Sequence, residues 1–212
     1  MAENDLPEQL RIRREKRDSL IASGQSPYPV AVPRTATLKE IRERFQKLAI
    51  DTASGVTESV TGRVIFKRDT GKLCFAMLRE GDGTELQVML SFDKVGETVL
   101  EAWKSDIDIG DIVSVTGEVI TSKRGELSIF TESYLIAAKA LRPLPNEHNP
   151  LNEETRVRQR YVDLVVRPEA REIARVRPAV MKSLRATLDT AGRSEEHTSE
   201  LQSRFGISYA VF

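Results

Sequence analysis

The basic side chains of this sequence form two local groups that could contact phosphates. One group crowds the amino-terminal part of the chain and consists of Arg11, Arg13, Arg14, Lys16 and Arg17. The other occupies two short polar stretches further along and consists of Lys67, Arg68, Lys72, Lys123 and Arg124. Clustered cations attract a polyanionic backbone such as that of a nucleic acid. A solvated helix face is an equally good interpretation of the first group, and cations in turns usually serve solubility.

Other side chains with chemical potential are few. The 32 Lys and Arg residues equal the 32 Asp and Glu residues, so a nucleic-acid surface would depend on local clustering. Cys74 is the one cysteine, which excludes an internal disulfide, and it is expected to be a small buried residue. His148 has no second histidine or acid at ligand spacing, so no metal site is predicted. The chain lacks a secretory signal and an apolar stretch of roughly 20 residues, which predicts a cytoplasmic protein with no membrane partner.

The elements that position these residues begin with a helical extension, residues 1–56. A helix is predicted from Asp5 to Gly24, with Asp5 and Glu8 at the spacing of a capping box. A second, shorter helix follows a proline-containing connector, and it starts with the same spacing at Thr37 and Glu40. Its apolar positions recur at helical intervals and are Leu38, Ile41, Phe45 and Leu48.

Alternating apolar and polar residues predict a small barrel over residues 57–141. The first strand starts near Glu58, and its apolar positions are Val60, Val64 and Phe66. Two further strands, a short helix near Gly96 and two last strands joined by the turn SKRG complete the series. This is the order of an OB-fold, a five-stranded Greek-key barrel, although other small barrels share it. The fold class is therefore α+β, mainly β, and the second group of cations lies in two turns that flank the binding face of such a barrel.

The remainder of the chain predicts a linker and one more helix. Residues 142–167 are assigned to an interdomain linker, because their first part is rich in Pro and Asn. A helix is expected from Pro168 to about Asp189, and Pro178 should kink or divide it. Nothing after this helix completes a second domain, so its apolar stripe should be exposed. That stripe comprises Ile173, Val176, Val180 and Leu184.

Four sequence motifs carry a resemblance to a known family. They are TGRVIFKRDTGKLCFAMLREGDGTELQVML, KRGELSIF, KALRPLP and RVRQRYVDL. Together they resemble the class II lysine–tRNA ligases from Leu6 to about Gly192. The succession of KALRPLP and R-x-R-Q-R-Y-x-D-L is specific to the lysine enzymes. The resemblance implies that the barrel is an anticodon-binding domain and that the partner is a tRNA.

The resemblance also implies roles for four barrel residues. Phe75 in GKLCF matches the aromatic residue on which the family stacks the central anticodon base. Gln87 in ELQVM matches the amide that hydrogen-bonds that base, and Glu126 in RGELS matches the acidic residue that contacts a neighbouring uridine. Arg63 in TGR matches a basic residue at the rim of the same face. Without the resemblance, Phe75 would be interpreted as core and Gln87 as a solvated strand residue.

Beyond the barrel, the resemblance predicts a truncated C-terminal helical segment. Residues 168–192 match the start of the class II catalytic domain, and the sequence departs from the family after Gly192, where motif 1 should follow. The motifs that bind ATP and Mg²⁺ do not occur, so we expect a piece that retains tRNA binding and has no catalytic residue. ATP, Mg²⁺ and homodimer formation are implied for the full-length enzyme and not for this piece.

Residues 193–212 resemble no part of that family. The blocks RSEEHTSELQS and ISYAVF match, in one reading frame, the translation of a common sequencing-adapter oligonucleotide. We therefore expect residues 193–212 to be a non-native, adapter-derived tail without an evolved function.

Two other functions are compatible with the sequence. A stand-alone OB-fold module would capture single-stranded nucleic acid without chemistry. A related aspartate or asparagine–tRNA ligase would share the barrel, but such enzymes resemble this sequence less well across the linker.

Overall fold

The computed structural model describes residues 7–145 and 151–193. The chain divides into two compact units, residues 1–146 and 147–212. Asp5, His148 and residues 194–212, on which part of the sequence interpretation rests, lie outside the described residues.

The first unit contains a closed five-stranded barrel. Its strands are β1 (Ala53–Asp69), β2 (Leu73–Arg79), β3 (Glu85–Ser91), β4 (Ile112–Thr121) and β5 (Leu127–Ala138). They are ordered β1-β2-β3-β5-β4, and β3 and β5 are parallel whereas the other neighbours are antiparallel. This arrangement confirms the predicted OB-fold. Strand β1 begins at Ala53, a few residues before the expected start of the barrel.

Side-chain alternation separates the barrel core from its surface. In β2, Cys74, Ala76 and Leu78 point inward and are buried, whereas the residues between them are half-buried on the outside. At Gly117, strands β4 and β5 approach so closely that a Cβ atom would collide with the carbonyl oxygen of Phe130. In these strands, the alternation of side chains therefore determines which residues form the core and which lie on the outer surface.

A β-bulge in β1 breaks this alternation. The pairing of β1 with β2 shifts between Val64 and Phe66, after which Phe66 pairs with Met77 and Lys67 with Ala76. The extra residue moves Phe66 to the outside, where 52% of it is exposed, and turns Lys67 inward. The expectation that Phe66 continues the buried face of Val64 is therefore wrong.

Two helices precede the barrel, α1 (Glu8–Ala22) and α2 (Leu38–Arg44). The capping box of α2 is confirmed, because the Glu40 backbone N–H donates to Thr37 Oγ1 at 3.1 Å and the Thr37 N–H donates to the Glu40 carboxylate at 2.7 Å. The N-cap of α1 is Pro7, which makes no side-chain cap. The capping box expected at Asp5 and Glu8 is therefore not the start of α1, and Asp5 itself lies outside the described residues.

Most cations of α1 are committed to protein contacts. Arg13 is buried and donates to the carbonyl oxygens of Ala140 and Ile109, at 2.9 Å each. Lys16 forms an ion pair with Asp108 at 2.7 Å. Arg11 and Arg17 pair with acidic neighbours within the helix or next to it, Glu15 and Asp18. Arg13 and Lys16 are therefore engaged in contacts outside the helix, which argues against a phosphate-contacting role for these two, whereas the surface pairs of Arg11 and Arg17 do not test that role.

Two short helices connect β3 to β4 and close one end of the barrel. They are α3 (Phe92–Val95) and α4 (Glu97–Asp106), and they meet at Gly96, whose φ of 80° interrupts the helix. Trp103 of α4 is fully buried, and its ring meets that of Tyr134 edge to face with centroids 4.8 Å apart. The predicted helix thus exists and its longer part begins after Gly96.

The described part of the second unit, residues 151–193, is helical. It contains α5 (Glu153–Arg158), α6 (Arg160–Val166) and α7 (Pro168–Thr190). The predicted linker therefore includes two short helices. They are stabilised by an N-cap and by local ion pairs, and their sequence has no strong helical periodicity of apolar residues that would predict them. One such contact joins Arg167 to the buried carboxylate of Asp163 at 3.1 Å.

Helix α7 is continuous across Pro178, so the expected division there did not occur. Its apolar stripe is exposed, as expected, with Ile173 62% and Val180 59% accessible.

Candidate nucleic-acid interface

Gln87, one of the predicted anticodon residues, belongs to a row of side chains that crosses four strands of the barrel. Across the sheet, Phe66 of β1 lies opposite Met77 of β2, Met77 lies opposite Gln87 of β3, and Gln87 pairs with Ser128 of β5. These four residues form a straight row perpendicular to the strands. Phe66, Met77 and Gln87 point outward, since their neighbours on the strands fill the core, whereas Ser128 at the end of the row is fully buried.

A second row runs beside the first and contains Phe75. Arg68 of β1 lies opposite Phe75 of β2, which lies opposite Met89 of β3, which pairs with Phe130 of β5. Phe75 and Gln87 are therefore diagonal neighbours on adjacent strands, a relationship that separates Cβ atoms by about 7–8 Å. A ring and an amide at that separation can contact the same base.

Gln87 is oriented by a neighbouring hydroxyl. Ser128 Oγ, which is fully buried, donates to Gln87 Oε1 at 2.8 Å and also lies 3.2 Å from the Glu126 carbonyl oxygen. Within residues 7–145 and 151–193, the Gln87 amide nitrogen has no hydrogen-bond partner. Its two N–H groups are therefore available to a ligand on the outer face.

Glu126 lies two residues before Ser128, at the end of the β4–β5 turn. Its Oε1 accepts from Arg42 Nη2 at 3.3 Å, and the Arg42 Nε also donates to the Glu85 carbonyl oxygen. Arg42 thus ties α2 to β3 and holds one oxygen of the Glu126 carboxylate. The Oε2 atom has no partner among the described residues, so it remains an acceptor.

Arg63 lies on the same face, one row beyond Phe66. It is paired with Arg79 of β2, and its Nη1 donates to the Gly110 carbonyl oxygen at 2.6 Å. Burial lowers the pKa of Arg63, and Asp111 partly offsets this by raising it. Arginine nevertheless keeps its charge in proteins, so Arg63 is a cation at the rim of the face.

The turn cations divide into two groups. Four of them are exposed and have no ion pair within the part of the chain that the structure describes; they are Arg68, Lys72, Lys123 and Arg124. Lys67 is the exception, because its ammonium group donates to the carbonyl oxygens of Trp103, Lys104 and Ile107 at the end of α4. The bulge turned it inward, so the expectation that it contacts phosphates is corrected.

The sequence did not predict a role at this face for three residues, which are Phe66, Ser128 and Arg42. The outward orientation of Phe66 results from the bulge, which the sequence pattern does not show. Ser128 and Arg42 act through partners that are 41 and 84 residues away in the sequence. Only the register of β3 against β5 could have indicated the Ser128 contact, and single-sequence patterns do not specify the pairing of distant strands.

In residues 7–145 and 151–193 no three His, Cys, Asp or Glu side chains are grouped so as to hold a metal ion. No helix in the same ranges is both long and apolar enough to span a bilayer.

Comparison with known proteins agrees with this architecture. Residues 58–137 match the family of OB-fold nucleic acid binding domains that includes tRNA anticodon-binding domains. The barrel is therefore an OB-fold domain of the nucleic-acid-binding class. The chain is 59% identical over 202 residues to the lysine–tRNA ligase of Mycobacterium bovis and 58% identical over 203 residues to that of Mycolicibacterium gilvum. Its sequence is therefore similar to that of lysine–tRNA ligases over nearly the whole of this chain.

These matches cover 95% and 96% of this chain but 40% of each relative, so the chain spans about two fifths of their length. A more distant relative is the lysylphosphatidylglycerol biosynthesis bifunctional protein LysX of Rhodococcus opacus. It is 38% identical over 97% of this chain, which covers 18% of that protein.

Proposed function

We propose that the outer face of the barrel binds the anticodon of a lysine tRNA, as the tRNA-recognition part of a lysine–tRNA ligase. The observation that supports this most directly is that Phe75 of β2 and Gln87 of β3 lie in adjacent rows on one face, and that Glu126 lies two residues before Ser128, which pairs with Gln87. Single-stranded RNA is recognised by splaying bases out, stacking them on aromatic rings and hydrogen-bonding their edges. The three residues offer one ring and two polar groups for this purpose.

The polar groups suit uracil. Uracil presents an N3–H donor between two carbonyl acceptors, so an amide can donate to one carbonyl and accept from N3–H. Gln87 has its N–H groups free, and its carbonyl oxygen retains a lone pair beside the Ser128 bond. The free Oε2 of Glu126 can accept the N3–H of a neighbouring uracil. Cytosine has no N3–H, so a cytosine stacked in the same position loses the hydrogen bond that Gln87 or Glu126 accepts from uracil N3–H.

The exposed turn cations fit the phosphates of the same loop. Arg68 and Lys72 lie at one end of the face, by the β1–β2 turn, and Lys123 and Arg124 lie in the β4–β5 turn. Neutralising phosphates with such side chains supplies affinity that is independent of sequence. Affinity and base preference are thus assigned to different residues.

The wider properties of a lysine–tRNA ligase form part of the same proposal. ATP-dependent attachment of lysine to tRNA, the use of Mg²⁺, homodimer formation and a cytoplasmic location are proposed for the complete enzyme. No described residue of this chain is assigned to ATP or Mg²⁺. The described residues would serve only to bind and orient the tRNA.

The test compares two anticodon stem-loops that differ in one base. The chain is titrated with a lysine-tRNA stem-loop and with the same RNA carrying cytidine at the central anticodon position. Phe75→Ala should weaken binding of the uridine RNA by roughly 5- to 150-fold, equivalent to about 1–3 kcal/mol of stacking. Gln87→Ala should reduce the preference for uridine over cytidine.

Gln46→Ala provides the matched control, because Gln46 is exposed and lies outside the barrel strands. The anticodon assignment fails if both Phe75→Ala and Gln87→Ala leave the preference unchanged. Equal affinity of the unsubstituted chain for the stem-loop and for an unrelated single strand would instead favour a general single-strand-binding module.

A further inference from the structure

Phe66 is an aromatic residue in the middle of a strand that nonetheless faces outward. The bulge after Val64 places it on the surface, where half of it is exposed. A single exposed apolar side chain is common in proteins and by itself indicates no site. The surroundings of Phe66 are what distinguish it.

Phe66 extends the row that contains Gln87. Met77 of β2 pairs with Phe66 of β1 on one side and with Gln87 of β3 on the other. The Phe66 ring and the Gln87 amide therefore flank the Met77 thioether. Phe66 is also the diagonal neighbour of Phe75, at a Cβ separation of about 7–8 Å. Two aromatic rings therefore occupy the same face on adjacent strands, with a polarizable side chain beside both.

Cations border this pair of rings. Arg68 follows Phe66 by two residues on the same face, is exposed, and lies opposite Phe75. Arg63 lies on the other side of Phe66, where its guanidinium group contacts the Gly110 carbonyl oxygen. An apolar surface that is bordered by cations is complementary to a base attached to a sugar-phosphate backbone. It is less suited to an apolar protein surface.

We propose that Phe66, with Met77, forms a second base-stacking subsite, which takes a nucleotide adjacent to the one stacked on Phe75. The subsite rests on the proposed function, since it extends the same RNA-binding face towards β1. Stacking tolerates any base because every base has a π-face. The subsite therefore adds affinity for the loop and leaves the choice of base to Gln87 and Glu126.

The experiment combines Phe66→Ala with RNAs that lack single bases. The chain, Phe66→Ala and Phe75→Ala are each titrated with the lysine-tRNA stem-loop and with a series carrying one abasic nucleotide at each loop position. Phe66→Ala should weaken binding of the intact loop about five-fold or more. The weakening should disappear for the RNA whose abasic position is normally stacked on Phe66.

That position should be next to the one at which the effect of Phe75→Ala disappears. Phe66→Tyr, which keeps a ring, should restore affinity. Leu135→Ala is the matched control, because Leu135 is as exposed as Phe66, at 52%, and also lies in a barrel strand.

The outcomes separate the subsite from the anticodon proposal. If Phe75→Ala weakens binding and Phe66→Ala does not, the subsite is wrong and the anticodon face stands. If the effect of Phe66→Ala persists for every abasic RNA, Phe66 stacks on no base and the subsite is equally wrong. If neither substitution weakens binding, the anticodon proposal fails and the subsite fails with it.

Discussion

Ser128 Oγ donates to Gln87 Oε1 at 2.8 Å across the parallel pairing of β3 and β5. The oxygen and nitrogen of a side-chain amide have nearly the same shape, so the amide could be held either way round. The buried Ser128 hydroxyl donates a hydrogen bond and therefore holds the carbonyl oxygen of Gln87 beside it. The N–H groups of Gln87 are consequently directed away from Ser128. A buried hydroxyl that touches no ligand therefore sets which hydrogen-bonding group the outer face presents.

The first prediction concerns this orientation. Ser128→Ala should lower the preference for the uridine stem-loop over the cytidine stem-loop, because the amide can then turn over. A neutral hydrogen bond contributes about 1 kcal/mol, so the ratio of the two dissociation constants should fall by roughly five-fold. Ser133→Ala, at an exposed position of the same strand, serves as the control. An unchanged ratio in a folded Ser128→Ala variant would show that Ser128 does not position Gln87.

A second prediction concerns the buried charges that join α1 to the barrel. Lys139 is fully buried and contacts Asp111 at 2.7 Å and Asp108 at 2.6 Å. Lys139→Ala would leave a fully buried carboxylate without its cation. The free energy of unfolding, measured with urea, should fall by about 3–5 kcal/mol.

The control for Lys139 is Lys39→Ala. Lys39 forms only an exposed pair with Glu43 at 3.8 Å, so its loss should change the free energy of unfolding by less than about 0.5 kcal/mol. Similar losses in the two variants would contradict the account of the buried network.

A third prediction concerns the thiol of Cys74. Burial, and to a lesser extent the neighbouring carboxylate of Asp69, raises the pKa of Cys74 to about 11. Because the thiolate is the reactive form and Cys74 is inaccessible, the native chain should react with iodoacetamide at pH 8 at least about a hundred-fold more slowly than the urea-unfolded chain. The sequence has one cysteine, so the label reports this site alone. Comparable rates in the two states would show that the barrel core is open at β2.

A fourth prediction concerns the turn cations. Each phosphate contact to a single strand contributes about 0.7 to the slope of log K against log salt concentration. Arg68→Gln and Lys123→Gln should each reduce the slope by roughly that amount while leaving the uridine-to-cytidine preference unchanged. Lys39→Gln, on α2, should leave the slope as it was. A changed base preference would mean that these cations contact bases.

The sequence predicted the elements of the fold better than their contacts. Strand alternation and the capping box at Thr37 depend on residues that are close together in the sequence, so both could be predicted from the sequence alone. The bulge after Val64 could not be predicted, because the inserted residue produces no recognisable sequence pattern. It nevertheless reverses the side of the strand on which each following side chain lies. The pattern therefore predicts Phe66 on the buried face of β1 and Lys67 in an exposed turn, and both predictions are wrong.

Long-range pairing explains the other differences. The basic residues of α1 suggested a phosphate-binding face as readily as a solvated one, and the partner of Lys16 lies 92 residues away at Asp108. For the candidate site, the family resemblance indicated Phe75, Gln87 and Glu126 without showing how they are arranged. The barrel places Phe75 and Gln87 on one face and Glu126 in the turn before β5, and their roles in RNA binding stay predictions.

The most direct measurement of the central claim is a two-dimensional amide NMR titration of the chain with the lysine-tRNA stem-loop. We expect the largest shifts at Phe75, Met77 and Met89 and at the side-chain amide of Gln87, which should become protected from exchange. We expect little change in α1. If the Gln87 side-chain signals do not move at saturation while signals elsewhere do, the RNA binds another surface and the proposed anticodon face is wrong.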